Sequence, residues 1–411
     1  MEILVSIAVA VIFGLLMTRI LSLWHLPDVT AYLIAGVILG PFFIGRLGIP
    51  GLGFVSYDFV ASLGLISDVA LGFIAFSIGN EFRISSLKKI GKQAFTVGVF
   101  QAVLTTAIVD IALIVFHFAF PDVLSMPAAV TLGAIASATA PAATMMVVRQ
   151  YKSKGDITNI LLPIVALDDA VGLILFAISF GIARAMETGS VSIVSIILNP
   201  IIEIAASLLL GAVMGWLLTK LETLFHSNTN RMALTIGFVI LTLALAMIEI
   251  EIGEVRIGFS SLLVCMMLGM VFCNICPLSE DLMDRADKWT APLMALFFVL
   301  SGAALRIEVF GQIMLVVVGL VYILFRSFGK YIGAYISSKA SGCPPKVVKY
   351  LGITLLPQAG VALGMCVTAQ TLADGQFIRN TILLAVLIYE LFGPVLTKMA
   401  LAKAGEISEK P

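Results

Sequence analysis

Charged residues are scarce in this sequence. Aspartate, glutamate, lysine and arginine make up only 12% of its 411 residues, whereas soluble domains contain about a quarter. Hydrophobic residues make up 60%, and the mean hydropathy is +1.10. This composition excludes an ordinary soluble domain and indicates a polytopic helical membrane protein.

The sequence also lacks the marks of several functional classes. Its formal net charge is +0, which gives no reason to expect a nucleic-acid partner. Five cysteines and three histidines form no zinc-like cluster. Cys273 and Cys276 have a metal-like spacing without a second pair nearby, and no structural disulfide is expected. Because there is no nucleotide-binding loop and no nucleophile motif, we expect neither an enzyme nor a cofactor.

Long apolar runs predict about thirteen transmembrane helices. They cover residues 2–22, 29–46, 57–82, 93–120, 126–149, 158–183, 191–219, 230–250, 258–276, 289–305, 309–337, 346–372 and 379–402. The first run lacks the basic start and the cleavage site of a signal peptide. Lysine and arginine gather in alternate loops, so we expect a cell (inner) membrane protein with its N-terminus outside and its C-terminus in the cytoplasm.

Two adjacent acids, Asp168 and Asp169, lie in the middle of the sixth span. A charge at that depth costs at least about 2.5–3.5 kcal/mol, so acids inside a membrane usually face a partner or a watery cavity. A carboxylate binds either a proton or a hard cation, and competition at one site enforces their exchange. An ion pair that only locks two helices together is the alternative interpretation.

Two spans are interrupted by proline. The interruptions are Thr139-Ala140-Pro141 in the fifth span and Pro357-Gln358-Ala359-Gly360 in the twelfth. Proline removes a backbone donor and clashes with the preceding turn, so each helix is expected to unwind. Spans one to six overlay spans eight to thirteen in the opposite direction, which predicts two inverted repeats with two crossed broken helices. Ordinary proline kinks are the alternative.

Several motifs stand together in the order found in one known family. They are Leu26-Pro27-Asp28-Val29, Phe76-Ser77-Ile78-Gly79-Asn80-Glu81-Phe82, Ala138-Thr139-Ala140-Pro141, Ala166-Leu167-Asp168-Asp169, Phe325-Arg326-Ser327-Phe328-Gly329-Lys330, Leu356-Pro357-Gln358-Ala359-Gly360 and Tyr389-Glu390-Leu391-Phe392-Gly393-Pro394. With these motifs the chain resembles the cation:proton antiporter-2 family over almost its whole length. The resemblance implies a homodimeric secondary active transporter that exchanges sodium (or potassium) for protons and serves pH homeostasis.

The resemblance also implies a division of labour. Residues 1–92 and 230–308 would form scaffold and dimerisation helices, residues 93–185 and 309–411 a core that moves as an elevator, and residues 186–229 a linker helix. By analogy Asp169 binds the transported cation and the proton, and Asp168 pairs with a basic residue of the eleventh span. Thr139 either completes the cation shell or only caps the kink.

Two departures from the family pattern narrow the function. Ala140 stands where many relatives carry an acid, so one charge compensator is missing. Potassium-efflux members usually carry Gln-Asp in place of Asp168-Asp169 and a nucleotide-binding domain after the last helix, whereas this chain ends at Pro411. A stand-alone Na⁺/H⁺ antiporter is therefore expected. A K⁺/H⁺ antiporter or K⁺ efflux system is the alternative, a sodium-coupled organic-anion symporter is a more distant one, and transport of Li⁺ is left open.

Arg326 and Lys330 lie four residues apart, on one face of the eleventh span. Counted from the cytoplasmic span ends, Asp168 and Arg326 both lie about 15 Å deep, with Lys330 about 6 Å nearer the cytoplasm. Arg326 is therefore the preferred partner of Asp168, and Lys330 is the second choice. Because arginine does not release its proton, the arginine pairing predicts electroneutral exchange at Asp169.

Three other side chains have open roles. Gln358 is expected to satisfy free backbone groups at the second break. Asp68, in the third span, either lines a funnel or forms an ion pair. Glu390 mirrors the acid pair in the inverted repeat and is expected to compensate a helix end.

Overall fold

A computed structural model describes residues 2–24, 26–49, 51–80, 84–188, 199–248, 250–252, 255–305 and 311–407. Within these ranges the side chains of a few residues, Asp169 among them, lie outside the described part. The described chain is almost entirely α-helical. The prediction of an all-α polytopic fold is confirmed.

Sixteen α-helices follow one another along the described part of the chain. They are α1 (Glu2–Ser22), α2 (Asp28–Leu39), α3 (Tyr57–Ser62), α4 (Gly64–Asn80), α5 (Ile84–Ala119), α6 (Met126–Ile135), α7 (Pro141–Gln150), α8 (Asp156–Thr188), α9 (Asn199–Glu222), α10 (Asn228–Ala246), α11 (Ser261–Ile275), α12 (Ser279–Ala303), α13 (Ile313–Ala340), α14 (Pro345–Thr354), α15 (Gly360–Ala369) and α16 (Gly375–Ala404). A 3-10 turn, Ile44–Leu47, follows α2.

One antiparallel hairpin joins α10 to α11. It consists of β1 (Ile250–Ile252) and β2 (Val255–Ile257), with Glu251 opposite Arg256. The segment alternates apolar and charged residues, a pattern that suits strands rather than helices.

Each predicted span contains a helix. Three spans are built from two helices each: α3 with α4, α6 with α7, and α14 with α15. Among the described residues, seven helices are long and apolar enough to cross a membrane by length and composition. The protein is therefore a multi-pass membrane protein.

Two helices extend well beyond their predicted spans at the polar end. α5 begins at Ile84 rather than near residue 93, and α12 begins at Ser279 rather than near residue 289. Hydropathy detects only the apolar part of a helix, whereas polar turns can continue it. In α12, Glu280 and Asp281 suit the positive N-terminal end, and Asp281 lies 2.8 Å from Arg285 one turn later.

The chain divides into two compact units. Unit 1 contains Met1–Met17, Tyr32–Lys89 and Leu198–Ala304, and unit 2 contains Thr18–Ala31, Ile90–Ile197 and Leu305–Pro411. The predicted linker helix, α9, groups with unit 1, and Thr18–Ala31 groups with unit 2. The roles of scaffold and moving core stay predictions.

In unit 1, α4 and α11 cross at a pair of glycines. A Cβ atom added to Gly79 would lie 2.1 Å from the carbonyl oxygen of Met266, and one added to Gly269 would lie 2.1 Å from that of Phe76. The two backbones therefore touch, as small residues allow in membrane helices. The rings of Phe76 and Phe272 pack 6.0 Å apart beside this crossing.

We expect Gly269→Ala to lower the thermal stability of the purified protein. The added methyl group meets backbone that cannot rotate away, and such overpacking typically costs about 1–3 kcal/mol. The loss of thermal stability is measured by heating the protein in detergent and determining the remaining folded fraction by size-exclusion chromatography. Gly237→Ala is the matched control, because Gly237 is exposed on α10 and nothing lies within 4 Å of an added Cβ. Equal melting temperatures for the two variants would contradict the close crossing.

In unit 2, two carboxylates tie the ends of α8 to the ends of α16. Glu406, just after α16, accepts hydrogen bonds from the backbone nitrogens of Ile157 (2.6 Å) and Thr158 (2.9 Å) at the start of α8. The Thr158 hydroxyl also donates to Glu406, at 2.7 Å. Glu187, in the last turn of α8, accepts from the backbone nitrogen of Ala373 (3.1 Å), just before α16. We call these two contacts the end clasps of α8.

Candidate functional site

Both proline motifs coincide with interruptions of helix, and the two interruptions touch. Residues 136–140 separate α6 from α7, and residues 355–359 separate α14 from α15. The backbone nitrogen of Ala140 donates to the carbonyl oxygen of Pro357 at 2.8 Å. Pro141 is the first residue of α7, where a missing N–H group removes no helical hydrogen bond. Four half-helix ends thus meet inside unit 2.

Arg326, on α13, is directed at the backbone of the two breaks. Its guanidinium donates to the carbonyl oxygens of Ala136 (3.0 Å), Ala138 (2.6 Å) and Leu356 (2.7 Å). The guanidinium carbon also lies 4.4 Å from the centre of the Tyr389 ring. These carbonyl groups follow the C-terminal, negative ends of α6 and α14, so the arginine charge offsets both ends and bridges the two breaks.

Lys330, one turn further along α13, forms an ion pair with Asp168. Its Nζ atom lies 3.0 Å from Asp168 Oδ2, and both side chains are 0% exposed. The same ammonium donates to the carbonyl oxygen of Ser137 (2.6 Å), to Thr139 Oγ1 (2.9 Å) and to Gln101 Oε1 (2.9 Å). The pair is therefore surrounded by polar groups from α5 and from the first break.

The preference for Arg326 as the partner of Asp168 is thus wrong. With the observed helix ends at Asp156 and Ala340, Arg326 and Lys330 bracket the depth of Asp168 equally. Depth therefore does not select the partner. The two breaks present three carbonyl groups that take up the Arg326 guanidinium, which leaves the Lys330 ammonium beside the carboxylate.

The Thr139 hydroxyl contacts the acid and, more weakly, the end of α14. Its hydroxyl donates to Asp168 Oδ2 at 2.6 Å, and more weakly to the carbonyl oxygen of Leu355 at 3.4 Å. The N-cap position of α7 is Ala140, which offers no side-chain hydrogen bond. The place of Thr139 in a cation shell stays a prediction.

Gln101, on α5, is a site residue that the sequence did not reveal. Its Nε2 atom donates to Asp168 Oδ1 and, at 3.0 Å, to the carbonyl oxygen of Gly98. Its Oε1 atom accepts from Lys330, so one amide contacts both members of the ion pair. A signal exists, because Gln101 is an amide inside an apolar run, but its partners could not be read from that run.

Gln358, in the second break, contacts the last residue of α6, just before the first break. Its Nε2 atom donates to the carbonyl oxygen of Ile135 at 3.0 Å and to the Tyr322 hydroxyl at 2.8 Å. The Tyr389 hydroxyl donates to the carbonyl oxygen of Ile323 at 2.7 Å. These buried contacts fix the meeting point of the half-helices.

The remaining predicted residues lie apart from this network or outside the described side chains. The Asp169 side chain is outside the described part, although its backbone continues α8 directly after Asp168. Glu390 is buried on α16, and no hydrogen bond among the described residues joins it to Asp168. Asp68 is exposed on α4, in unit 1. Within the described residues, no group of three or more His, Cys, Asp or Glu side chains could hold a metal ion.

Two interrupted helices that meet beside a buried acid define a class of proteins. They are the arrangement by which secondary membrane transporters expose backbone groups to an ion or substrate near the middle of the membrane. The family within this class follows from comparison with known proteins.

The family model "Sodium/hydrogen exchanger, transmembrane" matches residues 7–403. The chain therefore belongs to the sodium/hydrogen exchanger family, a family of transporters. Its membership confirms the predicted kinship and the predicted class of function, exchange of a monovalent cation for protons.

Individual relatives are distant. Cation/H⁺ antiporter 15 of Arabidopsis thaliana is 22% identical over 92% of this chain, which spans only 45% of that relative. Na⁺/H⁺ antiporter NhaS4 of Synechocystis is 24% identical, with 85% of this chain and 84% of the relative covered. The solved structure of the sodium proton antiporter MjNhaP1 from Methanocaldococcus jannaschii at pH 8 covers 98% of this chain and 97% of its own. Its TM-score is 0.68 at 20% identity, which shows a shared fold.

Proposed function

We propose that this chain exchanges sodium ions for protons across the cell (inner) membrane by alternating access at Asp169. The observation that carries the proposal is the fully buried ion pair of Asp168 and Lys330 beside the two breaks. Taking two charges out of water costs free energy, so a buried ion pair contributes little to stability. An acid and a base retained at such a position therefore favour ion handling over a purely structural lock.

The surrounding charges leave the acids available for the transported ions. Arg326 donates hydrogen bonds to the carbonyl groups at the negative half-helix ends. Its charge therefore offsets those ends, and neither the transported cation nor the proton is needed there. The opposite half-helix ends, the N-termini of α7 and α15, each carry about half a positive charge, which favours ionised carboxylates nearby. In the proposed cycle, Asp169 binds either a proton or a sodium ion, and Asp168 assists once Lys330 has moved.

Lys330 adds a second proton-binding group to the cycle. A buried lysine can lose its proton, whereas arginine keeps its own. When a sodium ion takes the two carboxylates, Lys330 loses its counter-charge and gives up a proton. One sodium ion is then exchanged for two protons, and each cycle moves net charge. This reverses the electroneutral exchange that an arginine partner predicts.

We expect sodium chloride to release the quenching of a pH-sensitive dye in acid-loaded proteoliposomes that contain the purified protein. Lithium should act likewise, and choline chloride is the control because it supplies chloride without a small cation. A potassium response equal to the sodium response would support the K⁺/H⁺ alternative. No response to any alkali cation would refute the proposed exchange.

The assembly and orientation belong to the same proposal. We infer a homodimer held by unit 1, with unit 2 as the moving core and the C-terminus in the cytoplasm. The excess of lysine and arginine on one side supports the orientation. Native mass spectrometry would test the dimer, since a monomer alone in mild detergent would contradict it.

A further inference from the structure

We propose that Gln101 is a further cation-binding residue, whose Oε1 atom passes from the Lys330 ammonium to the transported cation. This inference rests on the proposed exchange at the Asp168–Asp169 pair. It assigns a ligand on α5, a helix from which the sequence predicted none.

The oxygens around the Lys330 ammonium already form a cation site. They are Ser137 O at 2.6 Å, Gln101 Oε1 at 2.9 Å, Thr139 Oγ1 at 2.9 Å and Asp168 Oδ2 at 3.0 Å. We call these four atoms the oxygen cage. They combine one carboxylate, one amide, one hydroxyl and one backbone carbonyl, the ligand types that hard cations prefer.

The oxygen cage contains more acceptors than the ammonium can use. A lysine ammonium has three N–H donors, and four oxygens surround it at hydrogen-bond distance. An alkali cation has no such directional limit and gains from each additional oxygen. The surplus acceptor therefore favours a cation that replaces the ammonium, rather than the ammonium itself.

The neighbouring contacts explain why Lys330 gives way and Gln101 stays. Arg326 is fixed by three carbonyl groups, whereas Lys330 carries one ammonium on a flexible stem. The Gln101 amide is held by the donation of its Nε2 atom to Asp168 Oδ1 and to Gly98 O. A flipped amide would turn N–H groups toward the ammonium, so Oε1 is kept facing the cage.

The test uses the full chain in proteoliposomes and measures the sodium KM and the maximal rate separately. Gln101→Met keeps the length of the side chain but removes the oxygen, and we expect it to raise the sodium KM about tenfold with a maximal rate within about twofold of wild type. Gln101→Glu keeps an oxygen for the oxygen cage, and as a neutral acid buried beside Asp168 it can also replace the Nε2 donor, so its KM should stay within about threefold of wild type. A role in packing alone would not separate these two variants.

A second measurement follows binding without transport. Lys330→Ala removes the tethered competitor, so sodium should raise the melting temperature of this variant at lower concentration than it does in wild type. In the double variant Lys330→Ala/Gln101→Met, this lower sodium requirement should disappear. Equal KM values for wild type and Gln101→Met, or an equal rise for Met and Glu, would overturn the assignment. Absence of exchange in wild type would instead refute the proposed function, while the thermal test would still report on the oxygen cage.

Discussion

Asp169→Asn is expected to abolish cation-driven proton movement while the protein stays folded. The amide has the shape of the acid but binds no proton and brings no charge to a cation, so both halves of the competition are lost. We expect the rate to fall at least about a hundredfold, because no other group in the proposed cycle takes both ions at the same atom. The measurement is dye dequenching in proteoliposomes, and size-exclusion chromatography determines the folded fraction of the variant.

Asp156→Asn is the matched control for that variant. Asp156 begins α8, the same helix, but it is exposed and lies three turns from the acid pair. Its removal should leave exchange close to the wild-type rate. Exchange at that rate in folded Asp169→Asn would mean that the carboxylate is not the binding group.

A sodium jump on the wild-type protein should give a sizeable transient current on a solid-supported membrane, and Lys330→Ala should remove it. The reason is the ion pair of Lys330 with Asp168, since loss of the second proton leaves one proton for each cation. Proton movement by dye dequenching should persist in this variant at reduced rate. A wild-type current that survives in Lys330→Ala would assign the second charge to another group.

Arg326→Lys is the comparison that separates charge from geometry. A lysine at this position keeps the positive charge but cannot reach three carbonyl groups as the planar fork does. Each buried carbonyl left without a donor costs about 1–3 kcal/mol, so we expect a large drop in melting temperature. The current per folded protein should stay. A loss of current without a loss of stability would mean that the arginine fork is needed for exchange itself and not for holding the two breaks together.

The sequence was sufficient wherever a local rule dominates. Hydropathy located every helix of the described residues. Pro141 and Pro357 lie at the two touching interruptions, whereas Pro163, Pro292 and Pro394 lie inside continuous helices, so proline suggests an interruption without fixing it. The polar extensions of α5 and α12 were missed because hydropathy is blind to helix outside the hydrocarbon region. The first turn of α12 carried a usable signal, the acids Glu280 and Asp281.

The sequence alone could not decide whether Arg326 or Lys330 pairs with Asp168. Both lie on one face of α13, and their depths bracket that of Asp168. The decision depends on where three backbone carbonyls point after two helices unwind, which is a property of the assembled breaks. Gln101 was missed for the same reason, since its two partners are brought to α5 only by the packing of unit 2.

A helix fastened at both ends cannot slide along its own axis alone. The end clasps hold α8 through Glu406 at its start and Glu187 at its end, and both lead to α16. A change in the depth of the acid pair in the bilayer therefore requires α8 and α16 to move together. Backbone amides at a free helix start exchange quickly with solvent, whereas those of Ile157 and Thr158 are covered by a carboxylate. Deuterium uptake at these two amides would thus register any event that lets the two helices travel separately.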